Sequence, residues 1–434
     1  MSTAAHQSQD NPNDMEPLIS AQPPHPDAEQ HEPTGATATP AVDPSSDATA
    51  AEPSATTTKN SSEATINITA AYFNKVAKHP DDFHIGSFAI PAEPPTDHVR
   101  IKPPTDHVRI KVYAAALNPI DWERAQKGTL GRLFPIKYPS RVGYDVAGVV
   151  SKLGAGVTRF NPGDAVYGRL NHETGVGSVA DYVDIAADDI AHKPSCLRFN
   201  QAAAIPLAGL TALQALRASG LAEGKNIFVN AGAGGVGSFA LQLAKNYFRA
   251  TKVSTTVSTS KVEVAMGLGA AEAIDYTKKD FVKELGPQYD VAIDTVGEHS
   301  RIAKILRPHA SPPSKFVSIV GVPNSAEVGP LLDQLRRQGL FGAAKAKFIG
   351  KVLDASQWWK MRDLRKRGID YGFVFARSSG EDLDMVFNAL IEGGALQVPI
   401  DSTYEFSESG LRSAFSRLME GKVAGKVVIC MKKG

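Results

Sequence analysis

Near the middle of the chain, Ala231-Gly232-Ala233-Gly234-Gly235-Val236-Gly237 carries spacing that lets a backbone grip a diphosphate. Gly232, Gly234 and Gly237 fit the pattern glycine-x-glycine-x-x-glycine. Glycine permits a sharp turn and lets backbone N–H groups approach a pyrophosphate. A helix starting there adds the partial positive charge of its N-terminus. A glycine-rich turn can also be purely structural. Here the context favours a ligand: the β-rich run Asn226 to Asn230 comes before it, and helical spacing through Val236, Ala240, Leu243 and Tyr247 comes after. A dinucleotide is therefore expected on Gly232, Ala233, Gly234, Gly235, Val236 and Gly237.

The next strand bears on which dinucleotide. An NAD site usually places an acidic residue about 20 residues after the glycines, on the ribose 2′-hydroxyl. From Lys225 to Val262 this chain has no Asp or Glu. The strand ends instead in Thr256-Val257-Ser258-Thr259-Ser260-Lys261. Hydroxyls and an ammonium suit a 2′-phosphate, so NADPH is the expected cofactor. An ordinary solvated lysine at a helix start is the other reading of Lys261.

These residues need a scaffold. Runs at Lys252 to Val257, Ala273 to Tyr276, Asp290 to Asp294 and Phe316 to Ile319 alternate with helical stretches. That alternation predicts an α/β fold with a doubly wound parallel sheet. Its ligand-side strand ends would carry Ser258, Tyr276, Asp294 to Val296, and Ile319, Val320 and Gly321.

The chain of 434 residues has a net charge of +1, which hides an asymmetry. Residues 1–66 hold ten acidic residues and one basic one, with nine prolines and no Phe, Tyr or Trp. Such a segment buries too little apolar surface to offset its ordering entropy, so a disordered acidic tail is expected. The remainder holds 46 basic and 36 acidic residues, a net of +10. No aromatic-basic module accompanies that surplus, so nucleic acid is not an expected partner. The tail is acid-rich and resembles neither a secretory signal nor a transit peptide, and no apolar run is long enough to span a bilayer. A cytoplasmic location is expected, with no transmembrane segment. Two cysteines, Cys196 and Cys430, rule out a disulfide scaffold or a Cys-rich zinc module.

The nonapeptide Pro94 to Lys102 is repeated without change at Pro103 to Lys111. The second copy runs into Val112, and Val108, Ile110 and Val112 alternate as in a strand. The first copy cannot extend that strand on the same face, because nine is odd and Pro103 and Pro104 interrupt the ladder. A surface loop or an extra edge segment is expected there.

Several further blocks coincide: Asn118-Pro119-Ile120-Asp121-Trp122, Gly143-Tyr144-Asp145-Val146-Ala147-Gly148, Phe160-Asn161-Pro162-Gly163-Asp164, Ala203 to Ala212, and the closing Gly425-Lys426-Val427-Val428-Ile429. Together they resemble the medium-chain dehydrogenase/reductase superfamily, in its zinc-free quinone oxidoreductase and enone reductase branch. The resemblance covers roughly 67–434. It implies a Rossmann doubly wound parallel sheet plus a GroES-like β-barrel domain. The expected layout is a tail over 1–66, a GroES-like catalytic domain over 67–197, a Rossmann NADPH-binding domain over 198–375 and a C-terminal return over 376–434. Homodimers through a sheet edge are common in such families.

Zinc-dependent relatives carry a Gly-His-Glu block that includes a metal ligand; here it reads Gly143-Tyr144-Asp145, and no metal is expected. Alcohol dehydrogenation would lack its Lewis acid. Hydride delivery to a quinone or an α,β-unsaturated carbonyl compound fits better. The resemblance places Asn118 and Thr211 beside the nicotinamide and adds Lys426 to the cofactor's surroundings. It makes Tyr144 the candidate donor to the developing enolate, although a tyrosine packed on a core strand reads the same. Some quinone reductases carry a tyrosine where this chain has Glu123.

Residues 323–372 hold ten basic residues and apolar positions that suggest helices. A similar insertion occurs in the reticulon-interacting oxidoreductases. A solvated helical cover is one reading; a basic amphipathic surface in peripheral contact with an anionic membrane is another. Two functions remain in play: an NADPH-dependent reductase, or an NADPH-binding docking protein with little turnover.

Overall fold

The computed structural model describes residues 65–75, 77–91, 107–123, 126, 138–171, 177–320, 323–337 and 342–431. The first copy of the duplicated nonapeptide and most of the acidic tail lie outside these residues. Strand β1 (Thr65–Phe73) takes in the last two residues of the expected tail.

The first half of the described chain is built from β1, β2 (His84–Pro91), β3 (His107–Leu117), the short helix α1 (Pro119–Glu123), β4 (Ser140–Arg141), β5 (Asp145–Leu153), β6 (Ala165–Arg169), β7 (Tyr182–Ala186) and β8 (Ile190–His192). The second copy of the duplication enters β3, and Val108, Ile110 and Val112 are all buried. Arg109 lies between them and is buried too. Its Nε and Nη2 donate to the two carboxylate oxygens of Asp184 on β7, at 2.7 and 2.8 Å. A bidentate pair of this kind satisfies a guanidinium that burial would otherwise penalise.

The chain then passes into α2 (Pro206–Ala218), which opens on proline, the residue best suited to a first helical turn. Ala208, Leu210, Ala212, Leu213, Ala215 and Leu216 are all buried, so apolar residues surround the helix. A helix of that pattern belongs in an interior. One continuous core joins it to Ala114, Ala116 and Tyr167 of the β-strands and to Ile227, Val229 and Val253 beyond.

The following elements are β9 (Asn226–Asn230), α3 (Gly235–Asn246), β10 (Lys252–Val257), β11 (Glu272–Asp275), β12 (Val291–Asp294), β13 (Lys315–Ser318), α4 (Ser325–Arg337), α5 (Ala343–Lys360) and β14 (Asp370–Phe373). The strands pair in parallel in the order β11-β10-β9-β12-β13-β14. This is the doubly wound Rossmann order, and its direction reverses between β9 and β12, where such sheets bind ligands.

The chain ends with β15 (Ile400–Glu405), α6 (Glu408–Met419) and β16 (Lys426–Cys430). Strand β16 pairs antiparallel with β3, giving a sheet ordered β15-β16-β3-β5-β6-β8 with β7 against β3. The end of the sequence therefore returns to the β domain and brings Lys426 beside Asn118.

Candidate active site

The turn after β9 shows why its glycines are needed. Gly232 N–H donates to Thr255 Oγ1 at 2.9 Å, and a Cβ on Gly232 would lie 2.3 Å from that oxygen. A Cβ on Gly237 would lie 2.3 Å from the Ala231 carbonyl oxygen and 2.8 Å from Gly232 Cα. Only a glycine lets α3 begin so close to the turn. The left-handed position is taken by Ala231, at φ +49°. Glycine is the usual occupant of such a backbone conformation.

The turn opens onto a cavity of about 680 Å³. Of the expected site residues, Asn118, Thr211, Ala233, Gly234, Gly235, Val236, Gly237, Ser258, Lys261, Tyr276, Val320 and Lys426 all line it. Two do not. Gly232 sits under the turn as described. Tyr144 is buried, only 6% exposed, and is not among the lining residues.

Lys426, Asp145, Asn118 and Asp121 form a buried polar network at this cavity. Lys426 Nζ donates to Asp145 Oδ2 at 3.0 Å and also to Asn118 Oδ1. Asn118 Nδ2 donates to the same Asp145 oxygen at 2.9 Å. The ammonium can only donate and the carboxylate only accept, so the Asn118 amide has one consistent orientation. Asp145 Oδ1 accepts from the Leu207 backbone N–H at 2.7 Å, which satisfies a donor of the first turn of α2. Asp145 thus ties β16, the Asn118 corner and α2 together. Thr211, one turn along α2, donates to the Leu207 carbonyl at 2.6 Å.

Asp121 holds the Asn118 corner in place. Its carboxylate oxygens accept from Asn118 N at 2.7 Å and Gly143 N at 2.9 Å. Burial pushes its pKa up to about 7, and the neighbouring Asp145 charge adds to the rise. Lys426 balances the Asp145 carboxylate, and below about pH 7 a proton on Asp121 would leave the cluster neutral.

At the far end of the cavity Lys261 Nζ donates to the Val423 carbonyl at 3.0 Å. Partial burial lowers its pKa. Ser258 at the end of β10 and Tyr276 beyond β11 line the same region.

Three further ionisable residues line the cavity: Arg169 and Glu298, which carried no sequence signal, and Glu123, which stands where some quinone reductases carry a tyrosine. Arg169 is buried and donates from Nη1 to the Ala376 carbonyl at 2.9 Å. Glu123 ends α1 and is exposed as a residue, yet protein atoms about its carboxyl raise its pKa through desolvation.

The turn and the start of α3 together fit a pyrophosphate nucleotide. Among the described residues no three His, Cys, Asp or Glu side chains converge as a metal site. No described helix is long and apolar enough to cross a membrane.

Comparison with known proteins agrees with this geometry. Residues 104–195 match the alcohol dehydrogenase GroES-like domain, and residues 268–429 match a zinc-binding dehydrogenase domain. The chain is 36% identical over 325 residues to a 2-methylene-furan-3-one reductase of Solanum lycopersicum, covering 74% of this chain and 70% of the relative. It is 34% identical over 324 residues to a chloroplastic NADPH-dependent alkenal/one oxidoreductase of Arabidopsis thaliana, with the same coverage of 74% and 70%. The solved quinone oxidoreductase from Coxiella burnetii superposes with a TM-score of 0.66 at 27% identity, covering 84% of this chain and 99% of that one.

Proposed function

The chain belongs to the medium-chain dehydrogenase/reductase superfamily, in its quinone and enone oxidoreductase branch, and we propose that it reduces a quinone or an α,β-unsaturated carbonyl compound with NADPH. The observation that carries this reading is the single cavity that joins the glycine turn, Lys261 and the buried Lys426–Asp145–Asn118 network. When bound, the nicotinamide supplies a hydride to the electron-poor carbon of the acceptor.

The glycine turn and the α3 N-terminus would hold the pyrophosphate, and Lys261 and Ser258 the 2′-phosphate. Tyr276 would pack against the adenine. Asn118 and Thr211 would fix the carboxamide of the nicotinamide, with Lys426 and Asp145 holding Asn118 in place. Arg169 is a fixed cation on the cavity wall, suited to steady a developing enolate or hydroquinone oxygen. Glu123 replaces Tyr144 as the preferred proton donor, because Glu123 lines the cavity and its raised pKa keeps it protonated to higher pH. Zinc has no part in this reading: Asp145 of the Gly-Tyr-Asp block is already engaged by the Lys426 ammonium, which a metal cation would have to displace.

We also propose a cytoplasmic location and, from the family resemblance, a homodimer. The test of function is turnover. Purified protein with NADPH and a panel of quinones and alkenals should consume NADPH. Tight NADPH binding with no turnover on any acceptor would favour a docking protein instead.

A further inference from the structure

Helix α5 presents a face that the reductase cavity does not use. Phe348, Val352, Ala355 and Trp359 recur at i, i+4, i+7 and i+11, the spacing of one helical face. All four are exposed; Phe348 is 67%, Val352 50% and Trp359 65% accessible, with Trp358 beside them at 60%. The opposite face is taken. Ile349 and Gly350 are buried, Asp354 accepts from Ser325 N at 2.7 Å, and Gln357 donates to Glu327 at 3.2 Å. These contacts fix α5 against α4 and turn the aromatic face outward.

Cations border that face. Lys345, Lys347, Lys351 and Lys360 are exposed along α5. Arg362 lies over the Trp359 ring at 5.2 Å and Arg365 over the Trp358 ring at 4.9 Å. Single exposed apolar residues are normal, but a contiguous apolar stripe rimmed by charge marks an interaction site. Indole rings bordered by lysine and arginine suit the headgroup layer of a bilayer, where one end of the ring is apolar and the other wet.

We propose that the Phe348–Val352–Trp359 face of α5 docks the protein on an anionic lipid surface. A second copy of this chain is the poorer occupant, because it would bring the same lysines face to face. The contact is peripheral: the helix is too charged to span a membrane, and no described helix can do so. No α5 residue lines the cavity, so docking leaves the catalytic site open.

The test is co-sedimentation of the full chain with phosphatidylcholine vesicles, with and without phosphatidylserine, at low and high salt. Binding is expected only when phosphatidylserine is present, with a blue shift of tryptophan fluorescence and release by salt. Each lysine near such a surface is worth about fivefold in binding, so Lys347→Glu/Lys351→Glu should abolish sedimentation. Phe348→Ser/Trp359→Ser should remove the blue shift. NADPH consumption by both variants should match the parent, which shows that they fold. Three results would overturn the proposal: no binding to either vesicle, binding unaffected by the lysine variant, or a dimer in solution that Trp359→Ser dissociates while vesicles bind nothing. Capture of an acidic protein without vesicle binding would assign the face to a protein partner and overturn it equally.

Discussion

The Lys426 ammonium nitrogen lies 3.0 Å from Asp145 Oδ2, and the side chains are 3% and 0% exposed. They come from distant parts of the chain, on β16 and β5, and meet against Asn118. Breaking a buried pair by removing one partner costs about 3–5 kcal/mol, because the other charge stays buried and unpaired. Lys426→Met should therefore lower stability by about that amount and also free the Asn118 amide. Lys426→Met/Asp145→Asn should regain most of the stability and little of the turnover. Denaturant unfolding and NADPH oxidation measure the two effects separately. A double variant no more stable than the single one would show that the pair is not coupled.

Asp121 makes stability depend on pH. Its pKa is about 7 in the folded chain, against 3.8 for an ordinary aspartate. Between those values the folded state holds a proton that the unfolded state has released. The resulting stabilisation is complete below the lower value, falls as pH rises, and is gone above the upper one. The slope approaches about 1.4 kcal/mol per pH unit at its steepest. Urea unfolding at about pH 5 and about pH 8 should show the parent losing stability between them relative to Asp121→Asn. Parallel pH dependence in the two proteins would mean that Asp121 ionises as an ordinary carboxyl.

If Lys261 holds the proposed 2′-phosphate, it should separate the two nicotinamide cofactors. A hydrogen bond to a charged group is worth about 1.5–3 kcal/mol. Lys261→Glu should raise KM for NADPH by at least about tenfold, with NADH changed much less. Steady-state kinetics with each cofactor is the check, and equal losses would remove the 2′-phosphate assignment.

Two glycines of the turn should fail in different ways. A Cβ on Gly237 would press on backbone atoms of Ala231 and Gly232, which cannot yield cheaply. Gly237→Ala should cost about 1–3 kcal/mol of stability. A Cβ on Gly234 meets only the Ala231 carbonyl oxygen, at 3.2 Å, but it would stand in the cavity. Gly234→Ala should keep near-parent stability and lose NADPH affinity. Thermal unfolding with and without NADPH distinguishes them, and the reverse pattern would mean that the turn is not a phosphate cradle.

Much of this was legible in the sequence because it is local. The glycine spacing, the acid-free stretch to Val262 and the alternating strands each lie within one segment, and the structure joins them in one cavity. The Lys426–Asp145 pair was less legible, because 281 positions separate its partners and only the return of β16 to β3 brings them together. Arg169 had no motif around it. Tyr144 occupies the block that bears a ligand in zinc relatives, yet the structure gives the cavity wall to Glu123 and not to Tyr144. Motif position indicates which strand end faces a site, but not which side chain on it reaches the cavity.

Glu123 and Tyr144 can be set directly against each other as proton donors. Glu123 lines the cavity with a carboxyl whose pKa is raised by desolvation, so its acid form persists to higher pH than that of a free glutamate. A positioned general acid contributes about a hundredfold or more. Glu123→Gln should lower kcat on an enone by about that factor while leaving NADPH affinity near the parent value. It should also remove the decline in kcat that the parent shows as pH rises through the Glu123 pKa. Tyr144→Phe keeps the buried ring and should change kcat little. Pre-steady-state NADPH oxidation across pH for the three proteins decides the matter. A large loss in Tyr144→Phe with none in Glu123→Gln would return the role to the tyrosine.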